Sequence, residues 1–260
     1  RPGAPTPAVV RVLGLRGRAG QRADRCPVEV VLHPHQPALE TLGTFLRDLE
    51  RHNDRDWFRA NKERYERHVK EDGLQFVRDF APHLQKISTH FAADDRPVGG
   101  SLFRIYRDTR FSPDKSPYKT NTGLHFRHEA AKDVHAPGFY LHLEPGACFA
   151  GIGIWHPNAA TARDIRTAIV TDPARWKRVA HGKRFSDVYA LEGESLKRPP
   201  TGFDPEHPFV DDLRRRDFIG STTLTQKAVT SEGFVDEYAH LCRAGAPFVG
   251  FLCEALNLPF

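Results

Sequence analysis

The sequence predicts an α+β fold: a single domain whose mostly antiparallel sheet packs with N-terminal and C-terminal helices. Apolar residues recur at helical spacing over residues 38–91, alternating segments with turn signals follow to Trp155, and helical patterns return from Asn158. Strands grouped together, rather than alternating with helices, favour α+β over a parallel α/β sheet. With 260 residues, 39% of them hydrophobic, the chain is long enough to bury one large core.

The first 37 residues differ in composition from the rest of the chain. They are rich in Pro, Gly, Ala and Arg, and they hold six arginines against two acidic residues. The apolar run Pro7–Leu15 is interrupted by Arg11 and is too short for a secretory signal. We therefore predict a disordered basic leader over residues 1–37 and a single α+β domain over residues 38–258.

Three helices are predicted before the sheet. The first carries one apolar stripe, formed by Leu39, Leu42, Phe45, Leu46 and Leu49. Asn53-Asp54 offers an N-cap for a second helix, which Asp72-Gly73 is expected to end. A third helix then runs from Leu74 to Phe91, with a kink expected at Pro82.

The middle of the chain is predicted to form strands. Residues 102–111 alternate apolar and polar side chains, and residues 123–128 form a further short strand. Pro145-Gly146 is a hairpin signal between strands at 139–144 and 147–155. Pairing across that turn places three apolar pairs on one face: Leu143 with Cys148, Leu141 with Ala150, and Phe139 with Ile152.

The opposite face of this hairpin combines aromatic side chains with two glycines. Its members are Tyr140, His142, Phe149, Gly151, Gly153 and Trp155. Glycine leaves no side chain above the sheet, so a ligand or another backbone can approach closely. Trp155 is therefore a candidate wall of a binding site.

Helices are predicted again after the hairpin. One runs from Asn158 to Val170 with Ala162, Ile165 and Ile169 inward, and another begins after Asp172-Pro173. A Pro/Gly-rich segment, 192–209, precedes a short helix at 211–216 and a last helix from Glu232 to Leu256.

Positive charge is concentrated in one part of the domain. The formal net charge is +5, and residues 96–132 alone hold eight basic against three acidic side chains. The remainder of the domain is mildly acidic, which argues against a surface that coats nucleic acid. A local cationic cluster on such a protein predicts one small anion site. No window approaches the ~18 apolar residues of a membrane helix, so no membrane contact is expected.

The cationic cluster centres on residues 104–119. On a strand, Arg104, Asp108 and Arg110 point one way, and Arg107 points the other way with Phe103 and Ile105. Guanidinium groups bind carboxylate or phosphate oxygens in bidentate pairs. The predicted ligand-binding residues here are Arg104, Arg107, Arg110, Lys115, Tyr118 and Lys119, with Asp108 orienting a guanidinium. An ion-pair network that fixes a loop to the sheet is the alternative interpretation.

The same stretch fits the pattern R-x-x-R-D-x-R-F-x-x-x-K-x-x-Y. Its defining positions are Arg104, Arg107, Asp108, Arg110, Phe111, Lys115 and Tyr118. It resembles the signature of the domain of unknown function 2461 family, conserved hypothetical proteins of bacteria that also occur in fungi. Segments 53–58, 151–157 and 196–208 are similar too, so the resemblance covers roughly residues 39–257. It implies a domain and a signature but no reaction, and it favours one site that includes Lys197 and Arg198.

The favoured function is the binding of a small anionic ligand, such as a phosphate or carboxylate compound. If the protein is an enzyme, Asp108 or Tyr118 is the acid or base. A nucleic-acid-associated protein, with Tyr106, Phe149 and Trp155 stacking on bases, is one alternative. The other is a non-catalytic interaction domain in which the signature is structural.

No cofactor or metal is predicted. His125 and His128 fall on opposite faces of a strand, and no acidic residue joins them at ligand spacing. Gly151-x-Gly153 lacks the third glycine of a dinucleotide-binding fingerprint. The four cysteines stand singly in the sequence, which favours a reducing, cytoplasmic location.

Overall fold

A computed structural model of the chain describes residues 38–130 and 135–260, so the predicted leader lies outside the described residues. The helices before the sheet are α1 (Ala38–Arg51), α2 (Arg55–Ala60), α3 (Lys62–Tyr65) and α4 (Asp72–Ile87), with a π-helical segment, Glu66–Glu71, between α3 and α4. The strands are β1 (Thr122–Arg127), β2 (Gly138–Leu143), β3 (Phe149–Ile154), β4 (Ala190–Glu192) and β5 (Phe218–Thr223). The later helices are α5 (Ala159–Thr171), α6 (Pro173–Ala180), α7 (Lys183–Ser186), α8 (Val210–Leu213), α9 (Gln226–Val229) and α10 (Phe234–Ala255).

The predicted cap of the second helix is confirmed. One carboxylate oxygen of Asp54 accepts hydrogen bonds from the backbone N–H groups of Asp56 at 2.9 Å and Trp57 at 2.8 Å. The predicted break at Asp72-Gly73 is wrong, because the π-helical segment leads directly into α4. Gly73 is buried there, and a Cβ on it would lie 3.0 Å from a methyl group of Leu102. This glycine permits close packing instead of ending the helix.

The five strands form one antiparallel sheet in the order β1-β2-β3-β5-β4. The α+β fold class is therefore confirmed. The hairpin between β2 and β3 has the predicted register, with Leu141 opposite Ala150 and Phe139 opposite Ile152. Strands β4 and β5 were not predicted, and β5 lies between β3 and β4 within the sheet. The alternation of apolar and polar residues in β5 is weak because Gly220 occupies a core-facing position against Phe185.

The predicted strand over residues 102–111 is wrong as a regular strand. The segment is held beside β1 by isolated bridges, Leu102 with Leu124 and Tyr106 with Tyr118. Backbone hydrogen bonds between this segment and residues 117–125 continue only as far as Arg107, whose N–H donates to the carbonyl oxygen of Pro117. Pro117 has no N–H to return, so the ladder ends at this point. Residues beyond it are free to form an irregular loop.

The helices lie against one face of the sheet. Helix α10 contacts β3 and also packs on α4, α5 and α6. Aromatic side chains fill the layer between helices and strands, with ring centroids of Phe80 and Tyr238 4.8 Å apart and those of Phe80 and Phe126 4.6 Å apart. The predicted inward residues of α5, Ala162, Ile165 and Ile169, are buried here. Within the described residues, no helix is both long and apolar enough to cross a lipid bilayer.

Two neighbouring glycines of β3 provide a matched test of this sheet. Gly153 has φ +109°, and a Cβ on it would collide with the carbonyl oxygen of Phe218, whereas the nearest atom to a Cβ on Gly151 is 3.7 Å away. We expect Gly153→Ala to lower the free energy of unfolding by about 3 kcal/mol because it combines backbone strain with a backbone clash. Gly151→Ala is the control and should unfold like the wild type in urea. Equal midpoints for the two variants would contradict this geometry.

Candidate functional site

The face of the sheet opposite the main helical layer borders a cleft of about 640 Å³. Its polar lining comprises Arg107, Asp108, Lys119, Asn121, His125, Glu192 and Ser221. Its aromatic lining comprises Phe103, Tyr140, Phe149 and Trp155. The volume falls in the range of ordinary small-molecule sites, which are mostly apolar with a few polar groups. The open glycine face predicted from the hairpin therefore borders a concave site.

The floor of the cleft consists of small residues on adjacent strands. Gly151 pairs with Ser221, and these two small residues lie beside Tyr140 in one row of the sheet. Gly138 pairs with Gly153 in the next row, but the His125 ring lies over Gly138, where a Cβ would collide with its Nε2 atom. The open part of the floor is therefore Gly151 and Ser221. A Cβ on Gly151 would meet only ordinary contacts, 3.7 Å from Phe149 and Tyr140. The space above this floor is therefore open to a guest.

One side of the cleft is polar because three polar residues at odd sequence positions point to it. Lys119, Asn121 and His125 all line the cleft, at odd positions of the stretch that leads into β1. Alternate residues of an extended segment share a face. Only Lys119 of these three was predicted as a site residue, although the alternation is visible in the sequence.

His125 is a buried polar side chain that faces this cleft. It is 7% exposed, and burial, followed by the charge of Arg127, lowers its pKa to about 4. Among the described residues, neither ring nitrogen has a hydrogen-bond partner. At neutral pH the ring is therefore uncharged, and it can both donate and accept a hydrogen bond.

Lys119 is a partly buried cation without a carboxylate partner among the described residues. Burial, followed by repulsion from Arg104, lowers the pKa of its ammonium group. The ammonium nitrogen lies 5.7 Å from the centre of the Phe103 ring. Arg104 is exposed and also lacks a carboxylate partner in the described parts of the chain. An anion beside these two groups would relieve an unbalanced positive charge.

The other two predicted guanidinium groups already have carboxylate partners. Arg107 pairs with Asp114, and Arg110 pairs with Asp108 at 2.6 Å. The hydrogen bond from Arg110 lowers the pKa of Asp108 to about 2, and hydrogen bonds from Ser116 and then Arg107 lower that of Asp114. Asp108 is thus ionised at neutral pH and has no proton to give as a general acid. The expected segregation of Arg107 from Asp108 is wrong, since both line the cleft after the regular pairing ends.

Lys115 and Tyr118 lie on the other side of this loop. Lys115 donates to the carbonyl oxygen of Thr109 at 2.9 Å. Tyr118 is 6% exposed and stacks on Phe58 with ring centroids 4.0 Å apart. Burial, followed by the charge of Tyr106, raises the pKa of Tyr118, so its hydroxyl keeps its proton. Both residues line a separate polar cavity of about 740 Å³, together with the start of α2.

The Asn53 amide connects the two segments that border this polar cavity. It donates to the carbonyl oxygen of Tyr118 at 3.0 Å and accepts from the N–H of the same residue at 3.1 Å. The Asn53 side chain thereby pairs with both backbone groups of Tyr118, as a neighbouring strand would. This pair of hydrogen bonds joins the segment at 53–58 to residues 104–119, which we call the signature loop.

The remaining predicted site residues have different surroundings. Trp155 is 52% exposed and lines the cleft. Its ring stacks on His156 at 4.1 Å, and the Nδ1 atom of His156 lies 2.8 Å from the buried carboxylate of Asp217. Lys197 and Arg198 are exposed and belong to none of the cavity linings described above. The geometry does not support a single site that contains both these two residues and the signature.

Sequence reasoning missed a hydrogen-bonded chain on β2. The Tyr140 hydroxyl is 3.0 Å from the Nδ1 atom of His142, whose Nε2 atom is 3.0 Å from a carboxylate oxygen of Glu144. Tyr140 and His142 alternate on β2 and Glu144 follows the strand directly, and this i, i+2, i+4 spacing is visible in the sequence. Burial, followed by the charge of Glu144, raises the pKa of Tyr140 to about 12.

Metal ligands are not gathered at the cleft. Over residues 38–130 and 135–260, no group of three or more His, Cys, Asp or Glu side chains has the arrangement to hold a metal ion. His128 is buried away from His125, and its Nε2 atom is 2.9 Å from the carbonyl oxygen of Pro259.

Comparison with known proteins identifies a family but no characterised relative. The family model described as conserved hypothetical protein (DUF2461) matches residues 41–251. Comparisons with curated proteins and with solved structures give no match. The match covers most of the chain, including the signature loop and every strand of the sheet.

The Asn53 bonds allow a test of how firmly the signature loop is held. We expect Asn53→Ala to lower the free energy of unfolding by about 2 kcal/mol, because it removes both partners of the Tyr118 backbone. Asn121→Ala is a matched control, since its amide has no hydrogen-bond partner among the described residues. Urea unfolding of the two variants measures the difference in the free energy of unfolding. A loss of stability seen only in Asn121→Ala would contradict the role assigned to the Asn53 hydrogen bonds.

The surroundings of His125 predict its titration. We expect its ring to titrate with a midpoint of about 4, as followed by proton NMR of the imidazole. Because this pKa lies below that of the unfolded chain, the contribution of His125 to stability is complete above pH ~6.5 and declines as the pH falls toward 4. His125→Phe assigns the resonance. A midpoint near 6.5 in the folded protein would show that the ring is not buried in this way.

Proposed function

The chain belongs to the DUF2461 family of conserved hypothetical proteins, and we propose that it binds a small organic anion in the cleft on the sheet. The observation that carries this proposal is Lys119, a partly buried ammonium group with a lowered pKa and no carboxylate partner in the described chain. A ligand anion supplies the missing negative charge. The apolar part of the ligand packs on the aromatic walls.

The charge distribution supports a single anionic group on the ligand. Arg107 and Arg110 are held by Asp114 and Asp108, so they carry little free charge toward a guest. Lys119 and Arg104 supply the unbalanced charge. Lys119 lines the cleft, and it also lines a neighbouring cavity of about 670 Å³ together with Arg104. A carboxylate, sulfonate or phosphate placed there gains charge-assisted hydrogen bonds.

The proposal is for binding and assigns no catalytic step. Asp108 and Tyr118, the predicted acid or base candidates, are respectively paired with Arg110 and buried against Phe58. We also propose a bacterial, cytoplasmic location. The free buried thiols of Cys148, Cys242 and Cys253 are compatible with a reducing compartment.

Nucleic-acid binding is the second candidate, favoured by exposed aromatic rings beside the cations. Phe111 is 91% exposed and Tyr106 is 55% exposed. Such rings can stack on bases of a single strand. The two carboxylates paired with arginines oppose this candidate because a polyanion would have to displace or tolerate them. A steep decline of affinity for an oligonucleotide with rising salt would support it.

A pair of fluorescent probes tests the proposed function. The anion 8-anilinonaphthalene-1-sulfonate and its uncharged analogue N-phenyl-1-naphthylamine share an apolar body. We expect the sulfonate to bind the wild type and to lose about tenfold in affinity in Lys119→Gln, because a charge-assisted contact is removed. The uncharged analogue should bind both proteins alike, as measured by fluorescence titration.

Lys115→Gln is the matched control for this experiment. It removes the same charge from the same loop, but its ammonium group is bonded to Thr109 outside the cleft lining. The sulfonate should bind this variant within about twofold of the wild type, as expected for a screened surface charge. If the two lysine variants weaken the sulfonate equally, or neither does, the proposed anion site is wrong.

A further inference from the structure

The cleft combines an uncharged, buried imidazole with a small-residue floor at Gly151 and Ser221. His125 is more than nine-tenths buried, lines the cleft and has no hydrogen-bond partner for its ring nitrogens within the described chain. The floor beside it is formed by Gly151 and its strand neighbour Ser221, while Gly138 lies beneath the His125 ring. These are independent features, since one concerns a polar group and the other concerns shape.

The floor favours a flat guest. Peptide groups of adjacent strands form a nearly flat surface, and without a Cβ a guest can reach van der Waals contact with them. Phe149 and Trp155 are aromatic side chains that line the same space, and Trp155 is half exposed. Aromatic rings pack against planar guests in stacked or edge-to-face geometry. A planar ring thus contacts both floor and walls, whereas a branched ring of the same volume is held away from the floor.

The imidazole favours a guest with polar atoms in its ring edge. Neutral His125 offers one donor and one acceptor. The ring nitrogens of His125, unpartnered within the described residues, are not sealed inside the protein. A purely hydrocarbon guest would exclude the water that can satisfy them, which has a free-energy cost. A heteroaromatic nitrogen or ring carbonyl supplies the partner. Asn121 lines the same side of the cleft and adds an amide that can contact such an edge.

We infer that the ligand is a planar heteroaromatic ring bearing one anionic substituent, lying with its face on the glycine floor and its edge against His125. This inference rests on the proposed function, because Lys119 is assigned to the anionic substituent. It adds the shape of the ring and the residue that recognises its edge.

Three carboxylates of similar size separate these features. Naphthalene-2-carboxylate is flat, quinoline-3-carboxylate is flat with a ring nitrogen, and adamantane-1-carboxylate is bulky in three dimensions. We expect calorimetry on the wild type to show the adamantane compound binding about tenfold or more weakly than the naphthalene compound, since it loses contact with the floor. The quinoline compound should bind severalfold more tightly than the naphthalene compound through its hydrogen bond.

Two variants locate these effects. Gly151→Ala adds a methyl group that meets only ordinary contacts within the protein but projects from the floor. It should weaken both flat carboxylates by about tenfold or more, with the thermal midpoint of the free protein unchanged. His125→Phe keeps a ring in the same place and should remove the preference for quinoline over naphthalene.

The outcomes distinguish this inference from the function on which it rests. If none of the carboxylates binds and the sulfonate probe also fails, the proposed anion site is wrong. If all three bind equally and Lys119→Gln weakens all of them, the anion site stands and the planar-ring inference is overturned. Unchanged affinities in Gly151→Ala would likewise overturn it. This comparison of carboxylates in the wild type does not depend on any variant folding.

Discussion

The packing of α4 and α10 against one face of the sheet leaves the other face for the proposed ligand. The first face is closed by aromatic and aliphatic side chains, among them Phe80, Phe126 and Tyr238. Within the described residues, the other face borders the cleft, and Gly151 and Ser221 lie side by side on it. Because strands alternate their side chains, the same hairpin that supplies Leu141 and Phe139 to the core supplies Tyr140 to the cleft.

The signature loop has two roles that its composition alone does not separate. Most of its charged groups hold one another: Arg107 with Asp114, Arg110 with Asp108, and Lys115 with a backbone carbonyl. Exposed pairs of this kind contribute little to stability, but they fix the shape of a loop that has left the regular ladder. Lys119 and Arg104 are outside these pairs, and they are the cations that we assign to the proposed anion.

Local patterns predicted the helices, the cap at Asp54 and the register of the hairpin, because each depends on neighbours in sequence. Strand β5 was missed because Gly220 interrupts its apolar face to accommodate Phe185, a contact made only in three dimensions. The sequence also indicated a glycine face and a cationic cluster. It could not indicate which arginines pair internally, since Asp114 reaches Arg107 through the loop geometry. His125 was considered only as a metal ligand and set aside, because its burial in the cleft depends on neighbouring strands that the sequence does not place.

The pKa of Lys119 tests most directly whether the cleft contains a partly buried cation that can bind an anion. Reductive methylation with 13C-labelled formaldehyde gives each lysine an NMR signal, and Lys119→Arg assigns the one in question. We expect this signal to titrate below the signals of the exposed methylated lysines in the free protein, and its titration midpoint to move upward when naphthalene-2-carboxylate is added. A Lys119 that titrates with the exposed lysines and does not respond to the carboxylate would contradict it.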